Sequence, residues 1–220
     1  MPEITFNGPT GRIEARYHIN KEKDAPVALI LHPHPAHGGN MNSKIVYTLH
    51  RSFSDLGFST LRFNFRGVGN SEGIYDQGEG ELSDAASALD WVQSINHHAH
   101  RFWVAGFSFG AWISMQLLMR RPELEGFIAI SPPADRYDFN FLAPCPVSGL
   151  IVQGTKDDIV SHGSVESFVQ KLRNQKGIKI DFESIQDSDH FFTNHMSLLK
   201  TTIDKHLNQR LFPFHQSLAS

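Results

Sequence analysis

Apolar and amphipathic runs alternate along almost the whole chain, and that alternation limits the fold more than any single motif does. Residues 27–31, 58–63, 101–105, 126–130 and 147–153 are short apolar runs, of the length and content of strands buried on both faces, and 178–185 reads as a further strand. Between them, 42–56, 81–95, 111–120, 164–173 and 192–207 have helical character, with apolar residues spaced as at Ile45, Leu49, Phe53 and Leu56. Residues 4–6 and 12–19 open the chain as an antiparallel pair across Asn7-Gly8-Pro9-Thr10-Gly11. Strands alternating with helices specify an α/β fold, a mainly parallel sheet of about eight strands flanked by helices on both faces. No internal repeat, low-complexity tract or long linker interrupts the pattern, so 1–220 reads as a single domain.

Sheets of this kind carry their sites in the loops after the strands. After the run 101–105 comes Gly106-Phe107-Ser108-Phe109-Gly110, a G-x-S-x-G pentapeptide with a helix-like run behind it. A serine in a sharp strand-to-helix turn sits at sparsely allowed backbone angles, and the flanking glycines remove the clashes that side chains there would make. Ser108 is therefore a candidate nucleophile, provided that an acid and a base follow it in chain order.

Two loops supply them. Gly154-Thr155-Lys156-Asp157-Asp158 follows the strand 147–153, and a carboxylate on such a turn can point inward to orient an imidazole, with Asp157 and Asp158 competing for the role. A turn-stabilising or helix-starting role for one or both is the plainer alternative. Asp187-Ser188-Asp189-His190-Phe191-Phe192 follows the last strand. The chain has 13 histidines, and its place after that strand singles out His190 as general base.

A third loop, Leu31-His32-Pro33-His34-Pro35-Ala36-His37-Gly38-Gly39, suits an oxyanion hole. Prolines lack an N–H, so within His32-Pro33-His34-Pro35 the available backbone donors are His32 and His34, with the Phe109 amide as the second donor expected of a nucleophile elbow. The side chains of His32, His34 and His37 also invite a metal reading, but their spacing matches no zinc signature and the prolines restrict how they can converge. His97, His98 and His100 read as a solvated loop before the serine-bearing strand.

Composition narrows the alternatives. At 220 residues, 40% hydrophobic and 20% charged, the chain is ordinary for one soluble domain. A net charge of −3 gives no reason to expect nucleic acid or an anionic membrane as partner. Cys145 is the only cysteine, so no intrachain disulfide forms. No signal peptide is visible, and no apolar run approaches the ~18 residues that span a bilayer, so the expected address is the cytoplasm. The apolar stretch Leu211-Phe212-Pro213-Phe214 either covers the domain or meets a second subunit, a homo-oligomer in that case.

Taken with Arg62-Phe63-Asn64-Phe65-Arg66-Gly67-Val68-Gly69-Asn70-Ser71-Glu72-Gly73, these segments and their order resemble the α/β-hydrolase superfamily, and within it a small lid-less bacterial branch of predicted hydrolases. The resemblance covers nearly the whole chain. It implies Ser108 as nucleophile, His190 as base and Asp157 as acid, since family members usually place the acid three residues after the glycine matched by Gly154. The implied oxyanion donors are the amides of His34 and Phe109. Two departures stand out: His32-Pro33 where many members have His-Gly, which bears on the oxyanion loop, and Asn64 where many have Asp, at a structural position.

The implied reaction is cleavage of a small ester or thioester by a serine hydrolase, with no cofactor or metal required. His32, Phe107, Tyr137 and Phe191 are the candidates for lining the substrate pocket. Lids in this fold usually follow the strand that ends here near Ile130, and residues 131–146 are too few for a large one. Tyr137, Phe139, Phe141 and Leu142 would form a small apolar wall there, or pack that loop onto the core. The competing readings are a binding or regulatory protein that keeps the scaffold without turnover, a serine peptidase, and a metal-dependent hydrolase using the histidine-rich loop.

Overall fold

The computed structural model describes residues 3–142 and 144–212. Its eight strands are β1 (Glu3–Gly8), β2 (Gly11–His18), β3 (Val27–Leu31), β4 (Ser59–Phe63), β5 (Phe102–Phe107), β6 (Leu124–Ile130), β7 (Gly149–Gly154) and β8 (Ile180–Ile185). They form one sheet in the order β1-β2-β4-β3-β5-β6-β7-β8. β1 and β2 make the antiparallel hairpin, β2 also runs antiparallel to β4, and every other pairing is parallel.

Every residue of β3, β4, β5 and β7 is buried; β3 and β5 read as unbroken apolar runs for that reason, while β4 also buries Ser59, Thr60 and Arg62, and β7 buries Gln153. Successive side chains feed two separate cores. Val27, Leu29 and Leu31 of β3 join Phe102 and Val104 of β5 on one face; Ala28 and Ile30 join Trp103, Ala105 and Phe107 on the other. The first core is closed by α2 (Glu79–Ile95), α3 (Phe109–Leu118) and α4 (His162–Arg173). The second is closed by α1 (Lys44–Asp55) and α5 (Met196–Leu211), which pack on each other.

The last helix begins four residues later than the periodicity predicts, at Met196 rather than 192. Phe192 has φ +52°, and Asp189 accepts from the Thr193 amide at 2.7 Å and its hydroxyl at 2.6 Å, so a fixed turn occupies the start of the expected helix. Among the described residues between β6 and β7 there is the 3-10 turn Asn140–Leu142 and no inserted lid domain. No helix among the described residues is long and apolar enough to cross a membrane. Of the apolar C-terminal stretch, Leu211 ends α5 and Phe212 is half-exposed, while Pro213 and Phe214 lie outside the described residues.

The loop after β4 is fastened from two sides. Arg66 pairs with fully buried Asp84 of α2 through Nε and Nη2 at 3.0 and 2.7 Å. Asn64 donates to Glu14 at 2.7 Å and accepts from the Met41 amide at 2.8 Å. That double role explains the departure from aspartate at position 64. A second carboxylate facing Glu14 could not donate and would repel it.

Candidate active site

Ser108 occupies the turn between β5 and α3 at φ +53°, ψ −119°, and its amide donates to the Ile130 carbonyl at 2.8 Å. For a residue with a Cβ this conformation costs about 1–3 kcal/mol, which the surrounding packing must offset. The flanking glycines permit it by close approach. A Cβ on Gly106 would come within 2.2 Å of the Gly110 carbonyl oxygen, and one on Gly110 within 2.5 Å of the Leu31 and His32 carbonyls.

Across the sheet ends, the loops after β7 and β8 bring Asp157 and His190 together, with Nδ1 of His190 2.7 Å from Oδ2 of Asp157. Both side chains are almost wholly buried, at 4% and 0% exposure for His190 and Asp157. Oδ1 of Asp157 accepts from the Ile159 and Val160 amides at 2.9 and 2.8 Å, and Oδ2 also accepts from Nε2 of Gln153 at 2.9 Å. Burial works against the ionised carboxyl, but the bonds from His190 and these amides outweigh it and hold its pKa below the ordinary range. Asp158, the sequence competitor, is exposed.

With Nδ1 bonded to the acid, Nε2 of His190 is left for the cavity that Ser108 also lines. This cavity, of about 230 Å³, is walled by Ser108, Phe109, His34, Tyr137, Val160 and His190, with Phe191 at its edge. Phe109 begins α3, so its amide belongs to a first helical turn that has no intrahelical acceptors.

The loop after β3 places its three histidines in different settings. His32 is fully buried and does not reach the cavity. Its Nε2 accepts from the Phe65 amide at 3.0 Å and its Nδ1 contacts the Pro33 carbonyl at 2.6 Å, so the proton sits on Nδ1 and the ring is a strut between loops. Burial pushes its pKa down to about 4. As a pocket residue His32 is thus corrected, because both ring nitrogens are already spent. The same bonds keep it from converging with His34 and His37, and no group of three or more His, Cys, Asp or Glu among the described residues is arranged to hold a metal ion.

His34 does line the cavity. Its Nδ1 accepts from the Ala36 amide at 3.2 Å, which leaves Nε2–H for the Tyr75 hydroxyl at 3.2 Å. Burial, with His37 nearby, lowers its pKa and keeps the ring neutral. Tyr75, which the sequence did not suggest, stacks obliquely on His34 at 5.0 Å, and burial, together with Tyr137 and Glu81, pushes its pKa up to about 12. Nothing in the sequence links positions so far apart. Gln153 carried a better signal, as a polar residue closing an apolar strand just before the acid's loop.

Of the other pocket candidates, Tyr137 stacks on Trp112 at 4.2 Å and faces the cavity, Phe191 lines both this cavity and a neighbouring one, and Phe107 borders only the neighbour. Phe139 and Leu142 are not part of the wall. They are buried, line a different cavity beside α4, and Phe139 lies 4.7 Å from Phe168. His97, His98 and His100 are exposed before β5.

With this geometry in view, similarity to known proteins is informative. The structure of a protein of unknown function from Agrobacterium tumefaciens, assigned to the alpha/beta hydrolases, is 55% identical, covers 96% of each chain and superimposes with a TM-score of 0.94. This chain belongs to the α/β-hydrolase superfamily. A lid-less serine hydrolase of Xanthomonas campestris is 32% identical over 96% of this chain and 95% of its own, with a TM-score of 0.85. An uncharacterized protein of Rickettsia prowazekii is 55% identical over 87% of this chain and 82% of its own length. Residues 12–145 also match the model of the X-Pro dipeptidyl-peptidase (S15) family, within the same superfamily. That span contains Ser108 but ends before Asp157 and His190.

Proposed function

We propose that this α/β hydrolase cleaves a small ester or thioester in the cytoplasm through an acyl-enzyme formed on Ser108. The observation that carries the reading is the buried 2.7 Å Asp157–His190 pair, beside a serine held at positive φ on a shared cavity. Nε2 of His190 accepts the Ser108 hydroxyl proton as Oγ attacks the carbonyl carbon. The amides of His34 and Phe109 donate to the resulting oxyanion, and Asp157 stabilises the imidazolium. As the tetrahedral centre collapses, the bond to the alcohol or thiol breaks and His190 returns the proton to that leaving group. Water, giving its proton to the same imidazole, then attacks the acyl carbon; the bond to Oγ breaks, His190 returns the proton to Ser108, and the acid leaves.

A fluorophosphonate probe tests the nucleophile. Wild type becomes labelled and Ser108→Ala does not, whereas an unlabelled, folded wild type would mean a scaffold without turnover. Peptidase action is the second reading, favoured by the S15 match over residues 12–145. A panel of p-nitrophenyl esters, acyl thioesters and Ala-Pro-p-nitroanilide separates the two, with ester or thioester turnover expected to dominate.

A further inference from the structure

Beside the cavity that holds Ser108 lies a second and larger one, of about 460 Å³, between the start of α1, the end of β5 and the start of α5. The two share Pro33, His37 and Phe191 as walls, so they meet at the oxyanion loop and at the residue after His190. Ile45, Phe107, Phe191 and Met196 form its apolar wall, and Ser43, Lys44 and Thr193 its smaller polar share. Phe191 is the partition. Its ring lies edge-on to His190 at 5.2 Å and to Phe107 at 6.2 Å, yet 55% of the residue is exposed. A large aromatic left half in water between two cavities gains from any apolar group laid against it.

We propose that this annex holds an unbranched apolar chain of the substrate, with the reacting carbonyl in the smaller cavity and the chain passing Phe191. The proposal rests on the serine-hydrolase reading and adds the substrate class to it. Two other cavities of comparable size suit a different ligand chemistry: one of about 510 Å³ beside α4, where Asn140, Ser161, Ser164, Ser167, Lys171 and Gln175 make much of the wall polar, and an open one of about 610 Å³ between β1 and α2, lined by Asn7, Ser87, Asp90 and Ser94 and away from Ser108. An aliphatic chain buried there would strip water from hydroxyl, amide and ammonium groups without replacing their hydrogen bonds. In the annex it displaces water chiefly from carbon.

Two ester series test the proposal: p-nitrophenyl esters with acyl groups from acetyl to octanoyl, and acetate esters of alcohols of matching length. Wild-type kcat/KM should rise about fourfold per added CH₂ in one of the series until the annex is full. The series that rises tells whether the chain comes from the acid or the alcohol side. In Met196→Trp, which fills the annex, the octanoyl-to-acetyl ratio or its alcohol counterpart should collapse. In Leu198→Trp, exposed on the same helix outside the annex, it should not. Flat profiles in both series, or a rise that survives Met196→Trp, would overturn the annex.

A binding arm keeps this separate from catalysis. N-octylacetamide should raise the unfolding midpoint of Ser108→Ala where N-ethylacetamide does not, and the shift should be lost on adding Met196→Trp. Phe191→Ser, altering an exposed residue and sparing the core, should weaken the shift as well. If no ester is turned over but the octyl-specific shift is present, the hydrolase reading fails and the annex stands. If the octyl shift is missing, the annex fails whatever the enzyme hydrolyses.

Discussion

His32 follows β3 and His190 follows β8, both rings are buried, and both make a short contact through Nδ1, at 2.6 and 2.7 Å. The partners differ. His32 meets the Pro33 carbonyl, and its other nitrogen is already taken by the Phe65 amide, so the ring has no site for an incoming proton. His190 meets a carboxylate that can stabilise a positive imidazolium, and its other edge belongs to the cavity shared with Ser108. Burial and hydrogen bonding do not by themselves make a histidine a base. A base also needs an acceptor nitrogen left over and a counter-charge behind it.

The largest test of this contrast is kinetic. Where a serine triad works as a unit, loss of the serine or histidine lowers kcat by roughly 10⁶, and amidation of the acid by roughly 10⁴. Ser108→Ala and His190→Ala should each approach the first value on the best ester found, and Asp157→Asn the second. A conservative change at His32 should act mainly on stability. A less than tenfold loss in folded His190→Ala would remove the proposed base.

A smaller effect reads the other histidine. Burial depresses the His32 pKa from 6.5 in the unfolded chain to about 4 in the folded one. The unfolded state therefore takes up the proton first as the medium is acidified. The full contribution is present above pH ~6.5 and is lost as pH falls towards 4, by about 3 kcal/mol for His32. His50, whose pKa burial with Arg62 nearby lowers to about 4, acts in the same direction. At lower pH the depressed Asp157 carboxyl adds its own loss. Urea unfolding of wild type and His32→Gln between pH 7 and 4 measures the difference. The variant should begin less stable and lose less, and parallel curves would show that His32 is not held neutral by burial.

The difference between the two histidines also marks where sequence reading stops. Chain order and loop position single out His190, because a place just after the last strand, behind a serine and an acid in series, can be read along the chain. The same criteria leave His32 as a pocket candidate, because its fate is decided by the Phe65 amide, a partner 33 positions away. Strand positions were legible wherever burial on both faces gave an unbroken run, as in β3, whose bounds 27–31 agree in sequence and structure. The start of α5 was not, since the helical period continues into residues that the Asp189 turn holds out of the helix. Tyr75 escaped for the reason His32 misled. Its role comes from a bond to His34 across 41 positions, with no local pattern at either end.

The smallest effect concerns what lies behind His190. Gln153 is fully buried, and its Nε2 donates to Asp157 Oδ2 at 2.9 Å and to the Val160 carbonyl at 3.1 Å, while Oε1 has no partner among the described residues. Turning the amide over would satisfy neither acceptor and would set its oxygen against the carboxylate, so the unpaired Oε1 is accepted in return for two bonds through nitrogen. On the proposed mechanism Gln153 is a positioning residue, helping to hold Asp157 aimed at Nδ1. Gln153→Leu keeps most of the volume and removes the donor, while the Ile159 and Val160 amides and His190 remain on the carboxylate. A fall in kcat of about tenfold with KM little changed is expected, as for a modest share of one hydrogen bond to a charged group. The acid limb of the stability curve should also move to higher pH, because the Asp157 carboxyl returns towards its ordinary value. Unchanged kcat together with an unmoved acid limb would show that the two amides and His190 alone hold the acid.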